Sequence, residues 1–182
     1  MKASVTRGRI MLLALIFVFA LPALLAKLIL QQQWYTAGVT NKGTLIEPST
    51  SYASLGVENP YVGQRWQLAY VMPEVCDSLC QEQLYLLKQS HTALGKYQQR
   101  VEPVVLVRER SDQQALEDIG FSILTINSAF GQVVGGFEYV IVDPRGQLVM
   151  RYPKVDSQDN LVAQSKGLLA DLRKLLKLSR VG

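Results

Sequence analysis

Trp66-Gln67-Leu68-Ala69-Tyr70-Val71-Met72-Pro73-Glu74-Val75-Cys76-Asp77-Ser78-Leu79-Cys80 is an apolar run that breaks at Pro73 and ends on the only two cysteines of the chain. Beyond Cys80 the pattern changes to apolar residues at helical spacing, Leu84, Leu87 and Leu94. The change of period predicts a strand, a short loop holding Cys76, and a helix that opens near Cys80. Two thiols then sit where a strand hands over to a helix. The partial positive charge of a helix N-terminus favours the thiolate, the form that attacks disulfides and binds soft metals. A structural disulfide between residues so close in sequence would close almost no loop and add little stability, so the pair is read as a chemical site.

Working outward, the run Val101-Glu102-Pro103-Val104-Val105-Leu106-Val107 is rich in β-branched residues and reads as a strand buried on both faces. Ser111 or Asp112 can cap a short helix over 113–119, with Gly120 as its stop signal, and 121–126 reads as a further short strand. The stretch from Asn127 to Gly136 carries three glycines and reads as a loop. It leads into Phe137–Val142 and Gln147–Tyr152, two strands joined by Asp143-Pro144-Arg145-Gly146, a β-hairpin signature. From Asp159 to Leu178, Leu161, Leu168, Leu169, Leu172, Leu175 and Leu176 form one apolar stripe with basic residues elsewhere. This is an amphipathic helix that covers a face of the sheet. The order of elements is that of a thioredoxin-like α/β fold, a mixed central sheet flanked by helices, in residues 64–182.

The first thirty residues hold Lys2, Arg7, Arg9 and Lys27 and no acid, so the remainder of the chain is electrically neutral and the formal charge of +4 belongs to the N-terminus. A nucleic-acid partner therefore lacks its electrostatic footprint. Ile10 to Ala26 is free of charge and Leu28-Ile29-Leu30 extends the apolar span across Lys27, long enough to cross a bilayer as a helix. Leu24 and Leu25 in the Ala23–Ala26 exit stand where a cleaved leader wants small residues, so residues 1–30 are read as a cytoplasmic N-terminus and uncleaved anchor, contacting lipid through residues 10–30. The distribution of basic residues keeps the N-terminus cytoplasmic and puts the domain outside, where a disulfide persists. Residues 31–63, polar and turn-rich, read as a tether in which Thr44-Leu45-Ile46 forms a short strand or hairpin.

The Trp66–Val71 run followed by Cys76-Asp77-Ser78-Leu79-Cys80 resembles the Sco family, membrane-anchored thioredoxin-like proteins that deliver copper to, or reduce, the CuA site of cytochrome c oxidase. Val140-Ile141-Val142-Asp143-Pro144-Arg145-Gly146 resembles the hairpin of that family, in the same order and at a similar separation. The resemblance covers roughly residues 60–155. It implies a bacterial inner-membrane protein with its domain in the periplasm, assisting oxidase assembly through Cys76 and Cys80, by Cu(I) carriage or thiol–disulfide exchange. Cytochrome c oxidase subunits or other assembly factors are the implied partners. The alternative is a non-catalytic assembly factor, a binding platform with a vestigial or structural cysteine pair.

The family's copper site also uses a histidine eight residues before the turn aspartate, and counting back from Asp143 reaches Gly135. The single histidine, His91, lies about 16 Å along a helix from Cys80 and on its apolar side, which makes it a core or boundary residue. Two thiolates alone hold Cu(I) but not Cu(II). The cis-proline of thioredoxin-type reductases is also absent, Gly135-Gly136-Phe137 standing in its region. Of the remaining candidates near the thiols, Glu74 and Asp77 lie beside Cys76, Glu138, three residues after the vacant ligand position, reads as a solvated strand carboxylate before a ligand, and Met72 as core before a thioether ligand. The topology is checked by fusing alkaline phosphatase after Gly182 in a bacterial host: an active fusion is expected, and a stable but inactive one contradicts the orientation.

Overall fold

The computed structural model describes residues 2–31, 40–112, 114–116 and 120–179. It divides into two compact units, residues 1–40 and 41–182. The first contains helix α1, Lys2–Gln31, within which Arg7–Leu28 is long and apolar enough to cross a membrane. Pro22 lies inside that apolar stretch.

The second unit is built on six strands: β1 (Thr44–Ser51), β2 (Trp66–Val71), β3 (Val101–Val107), β4 (Ser122–Thr125), β5 (Tyr139–Val142) and β6 (Gln147–Tyr152). They form one sheet in the order β1-β6-β5-β2-β3-β4. β2, β3 and β4 run parallel, whereas β5, β6 and β1 add antiparallel pairings. The sheet is therefore mixed, with the hairpin supplying its antiparallel half. Helices α2 (Ser78–Ala93), α3 (Ser128–Val133) and α4 (Gln158–Leu178) complete the unit.

β2 is the strand on which the two halves meet, paired with β3 on one side and β5 on the other. All six of its residues are buried. Strand side chains alternate between faces, so Leu68 and Tyr70 enter the cluster that contains Leu87 of α2 and Leu168, Leu172 and Leu176 of α4. Ala69 and Val71 enter the opposite cluster with Phe130 of α3, Val104, Val140 and Leu148. Helices thus cover both faces, and α4 packs on the sheet through its leucine stripe as the periodicity predicts.

Three segments differ from the sequence reading. The glycine-bearing stretch 127–136, read as a loop, contains α3: Asn127 caps it by accepting from the Phe130 N–H (3.0 Å), and Phe130 is fully buried. Glycine weakens a helix by only about 1 kcal/mol, less than burial of a phenylalanine returns. The short strand expected at Thr44-Leu45-Ile46 is present but longer: β1 runs on to Ser51 as an edge strand, pairs with β6 and slips register between Leu45 and Thr50, around Pro48. An edge strand is where a proline, lacking its N–H, is tolerated. The helix predicted over 113–119 falls partly outside the described residues, and within it Gln114–Leu116 is a single 3-10 turn.

The start of β1 is fastened by a buried carboxylate. Asp171 Oδ2 of α4 accepts from the N–H groups of Lys42 (2.7 Å) and Gly43 (2.9 Å) and from the Tyr152 hydroxyl (2.9 Å). Burial first, and then this bond to Asp171, push the Tyr152 pKa above its ordinary value, so the hydroxyl stays a donor. Replacing Asp171 by Ala strands three donors and is expected to lower stability by about 3 kcal/mol. A fall in urea midpoint of the full-length protein in mild detergent checks this; a change below about 0.5 kcal/mol contradicts the role assigned to Asp171.

Candidate functional site

Cys76 and Cys80 form a disulfide at the junction of β2 and α2, with Cα atoms 5.1 Å apart. The chain leaves the sheet at Pro73, crosses a four-residue loop and enters α2 at Ser78. Asp77 is the N-cap, its Oδ1 accepting from the Cys80 N–H (3.0 Å). The two sulfur-bearing residues differ in environment: Cys80 is completely buried on the inner face of α2, whereas Cys76 is only partly buried. Next to it Val75 is 72% exposed, an apolar side chain presented to solvent beside the more accessible sulfur.

The loop is held from the β3 side. Ser111 Oγ donates to the Met72 carbonyl (3.2 Å), the Asp112 N–H donates to the Pro73 carbonyl (3.2 Å), and Asp112 Oδ2 accepts from the Cys76 N–H (3.1 Å). The same carboxylate, through Oδ1, accepts from the Ala115 N–H (3.3 Å), which is the capping role that the sequence predicts for it. Its second contact, to Cys76, joins residues 36 apart in the chain and has no local signature.

On the β5 side the site is closed by Gly135-Gly136-Phe137. Phe137 has φ of 67°, a left-handed conformation that a bulky residue adopts only when its surroundings hold it there. Its N–H donates to the Val71 carbonyl (3.0 Å), its carbonyl accepts from Gln83 Nε2 (2.8 Å), and the Lys154 ammonium sits 4.2 Å from its ring centre. Gln83, one turn after Cys80 and fully buried, also accepts from the Tyr70 hydroxyl (2.9 Å) through its side chain and from the Tyr139 hydroxyl (2.6 Å) through its carbonyl. Burial pushes the pKa of both tyrosines up, keeping them neutral donors. The backbone at Gly136 approaches closely: an added Cβ would stand 3.4 Å from Pro73 Cα and 3.3 Å from the Arg108 guanidinium.

Beside the disulfide lies an open cleft of about 510 Å³ lined by Pro73, Glu74, Val75, Asp77, Arg108, Gly136 and Phe137. A larger one, about 780 Å³, shares only Glu74 and Arg108 with it and extends away from the sulfurs towards α3. The smaller cleft is the one that borders the sulfur-bearing loop.

Other predicted candidates fall elsewhere. His91 Nε2 donates to the Val101 carbonyl (3.0 Å) at the far end of α2, a boundary histidine as the sequence suggests. Glu138 is not a solvated strand carboxylate: it precedes β5, and its Oε2 is buried without a hydrogen-bond partner. Its carbonyl accepts from the Val71 N–H (2.9 Å), continuing the β2–β5 pairing by one residue. Its Oε1 lies 3.6 Å from where a Cβ on Gly135 would stand. Among the described residues no group of three His, Cys, Asp or Glu side chains is placed to hold a metal. The donor set on offer is sulfur, which fits Cu(I) and not Cu(II).

The family model described as "Transmembrane-like, thioredoxin-like, C-terminal domain" matches residues 66–179, the whole of the chain from β2 through α4. The chain belongs to this family. The solution structure of apo Sco1 from Thermus thermophilus is similar to this transmembrane-like, thioredoxin-like chain with a TM-score of 0.51 and 20% identity, covering 76% of this chain and 99% of that one. Yeast Sco1 with copper bound gives 0.46 at 16% identity, covering 67% and 96%. A putative thioredoxin from Neisseria meningitidis gives 0.43 at 16%, covering 70% and 91%. No curated protein sequence matches. At 20% identity the likeness to the Thermus thermophilus structure shows a shared fold.

Proposed function

We propose that this is a membrane-anchored, Sco-like protein that assists cytochrome c oxidase assembly through Cys76 and Cys80, with α1 in a bacterial inner membrane and the domain in the periplasm. The observation that carries the reading is the asymmetric disulfide, one sulfur half-buried beside an open cleft and the other sealed behind it. That asymmetry suits an exchange pair, since the outer thiol meets the partner and the inner one resolves the intermediate.

In the reduced state the Cys76 thiolate, favoured by the N-terminus of α2, attacks a disulfide in the partner. One partner thiolate leaves and a mixed disulfide forms. The Cys80 thiolate then attacks Cys76 Sγ, releasing the second partner thiolate and closing Cys76–Cys80. Two electrons pass to the partner, whose cysteines are left reduced and competent to receive copper. Regeneration consumes a dithiol from another protein, which leaves as a disulfide. Val75 and the cleft that Arg108 lines offer the partner an apolar contact and a cation beside the sulfur-bearing loop. The reduced pair also holds Cu(I) as cargo between two thiolates, with no imidazole to support Cu(II).

The competing reading, a binding platform with an idle pair, is favoured by Gly135 in place of a third ligand and by Gly135-Gly136-Phe137 standing, without a proline, in the region where exchange enzymes carry one. A strain carrying the Cys76→Ser, Cys80→Ser double variant separates the two. Oxidase activity and CuA copper content are expected to fall to the level of a gene deletion while the variant protein accumulates normally. Full activity with normal CuA content contradicts sulfur chemistry and leaves the platform.

A further inference from the structure

Met72 ends the apolar run that enters the site, and its sulfur lies 3.8 Å from Cys80 Sγ. The placement follows from strand alternation: Leu68, Tyr70 and Met72 face the same cluster, the one containing Cys80 and Leu87 of α2. Met72 is completely buried, and its backbone is fixed at both ends, N–H to the Leu106 carbonyl (2.9 Å) and carbonyl to Ser111 Oγ (3.2 Å). The thioether is therefore aimed at the inner cysteine by the sheet. Met150, by contrast, lies on β6 with its sulfur 3.1 Å from the Tyr152 hydroxyl oxygen, whose proton goes to Asp171.

We propose that Met72 Sδ is the third sulfur donor of a Cu(I) site completed by Cys76 and Cys80 once their disulfide is reduced, an extension that rests on the copper-carrying part of the function above. Around a three-coordinate ion, metal–sulfur bonds of about 2.3 Å place the sulfurs roughly 4 Å apart. The Met72–Cys80 separation already meets that spacing, and only the outer Cys76 sulfur has to swing away when the bond opens. A thioether is soft, as Cu(I) requires. It is also neutral, so it adds no charge to a buried ion that two thiolates have already made anionic overall, which the Glu138 carboxylate would do. Position 135, from which the resemblance would bring an imidazole, has no side chain.

The balance is simple. A dithiol from another protein reduces Cys76–Cys80 and leaves as its disulfide. Cu(I) then displaces two thiol protons and remains Cu(I), with no electron moved on loading. Met72 adds a ligand without a proton to lose.

The test uses the full-length protein in detergent, reduced, anaerobic and loaded with Cu(I) alone. X-ray absorption at the copper edge is expected to give three sulfur neighbours. In selenomethionine-labelled protein one of them becomes selenium, retained in Met150→Leu and lost in Met72→Leu. Competition against a Cu(I) chelator is expected to show Met72→Leu weaker by at least about tenfold, the loss that even an outer-shell partner causes. No selenium at copper, or a Met72→Leu affinity within about twofold of the wild type, overturns the proposal while leaving two-thiolate carriage intact. No Cu(I) binding above background by the wild type overturns carriage itself, and the Met72 ligand with it. Should Met72→Leu fail to fold, the labelled wild-type protein decides alone.

Discussion

Burial of β2 on both faces is the constraint on which the site depends. A strand flanked by β3 and β5 and covered by helices on either side has no freedom in register, because a one-residue slip would turn Leu68, Tyr70 and Met72 away from α2. The chain therefore leaves the sheet at one place, at Pro73, and the loop that follows is delivered to the N-terminus of α2. The disulfide closes a short loop, for which the chain-entropy relation gives about 2 kcal/mol against roughly 4.7 for a loop of 100 residues. The proposed exchange therefore asks the apolar core, and not the sulfur bond, to carry the fold.

A second layer of polar contacts fixes the loop against its neighbours. Gln83 is the hub: it is fully buried, and its side chain and backbone together bind the hydroxyls of Tyr70 and Tyr139 and the carbonyl of Phe137. Those bonds tie α2, β2, β5 and the Phe137 turn into one piece. They also hold Phe137 in a left-handed conformation against its own preference, so this wall of the cleft is set by tertiary structure and not by a proline. On the other side Asp112 and Ser111 do the same for Pro73 and Cys76. The sulfur-bearing loop is gripped from both neighbouring strands.

Much of this was legible in the residues. The change from strand to helical period after Cys80, the β-branched run at 101–107, the Asp143–Gly146 turn and the leucine stripe of α4 are local patterns, and each marks the element it suggests. Asp143 shows why such a turn is readable: its own carboxylate accepts from the N–H groups of Arg145 (2.9 Å) and Gln147 (2.8 Å), while Gly146 takes a φ of 82°. What escaped depends on contacts distant in sequence. Helix α3 is stabilised by burying Phe130 against β2 and β5, although Asn127 three residues earlier was a visible cap. Edge strand β1 exists because β6 and Asp171 receive it. The link from Asp112 to Cys76, the reach of Gln83 across α2, and the approach of Met72 to Cys80 arise only once the sheet is assembled, and no spacing in the chain announces them.

The central claim is that Cys76 and Cys80 interconvert between dithiol and disulfide inside a domain whose fold does not depend on the bond. Equilibrating the full-length protein in glutathione buffers of graded potential, with the fraction oxidised read by alkylation and mass and the fold followed by circular dichroism, tests it most directly. The account predicts one reversible two-electron transition at a potential above about −300 mV, with the reduced protein still folded. A pair that resists reduction below that potential, or a domain that unfolds when the bond opens, would contradict it and mark the disulfide as a structural staple.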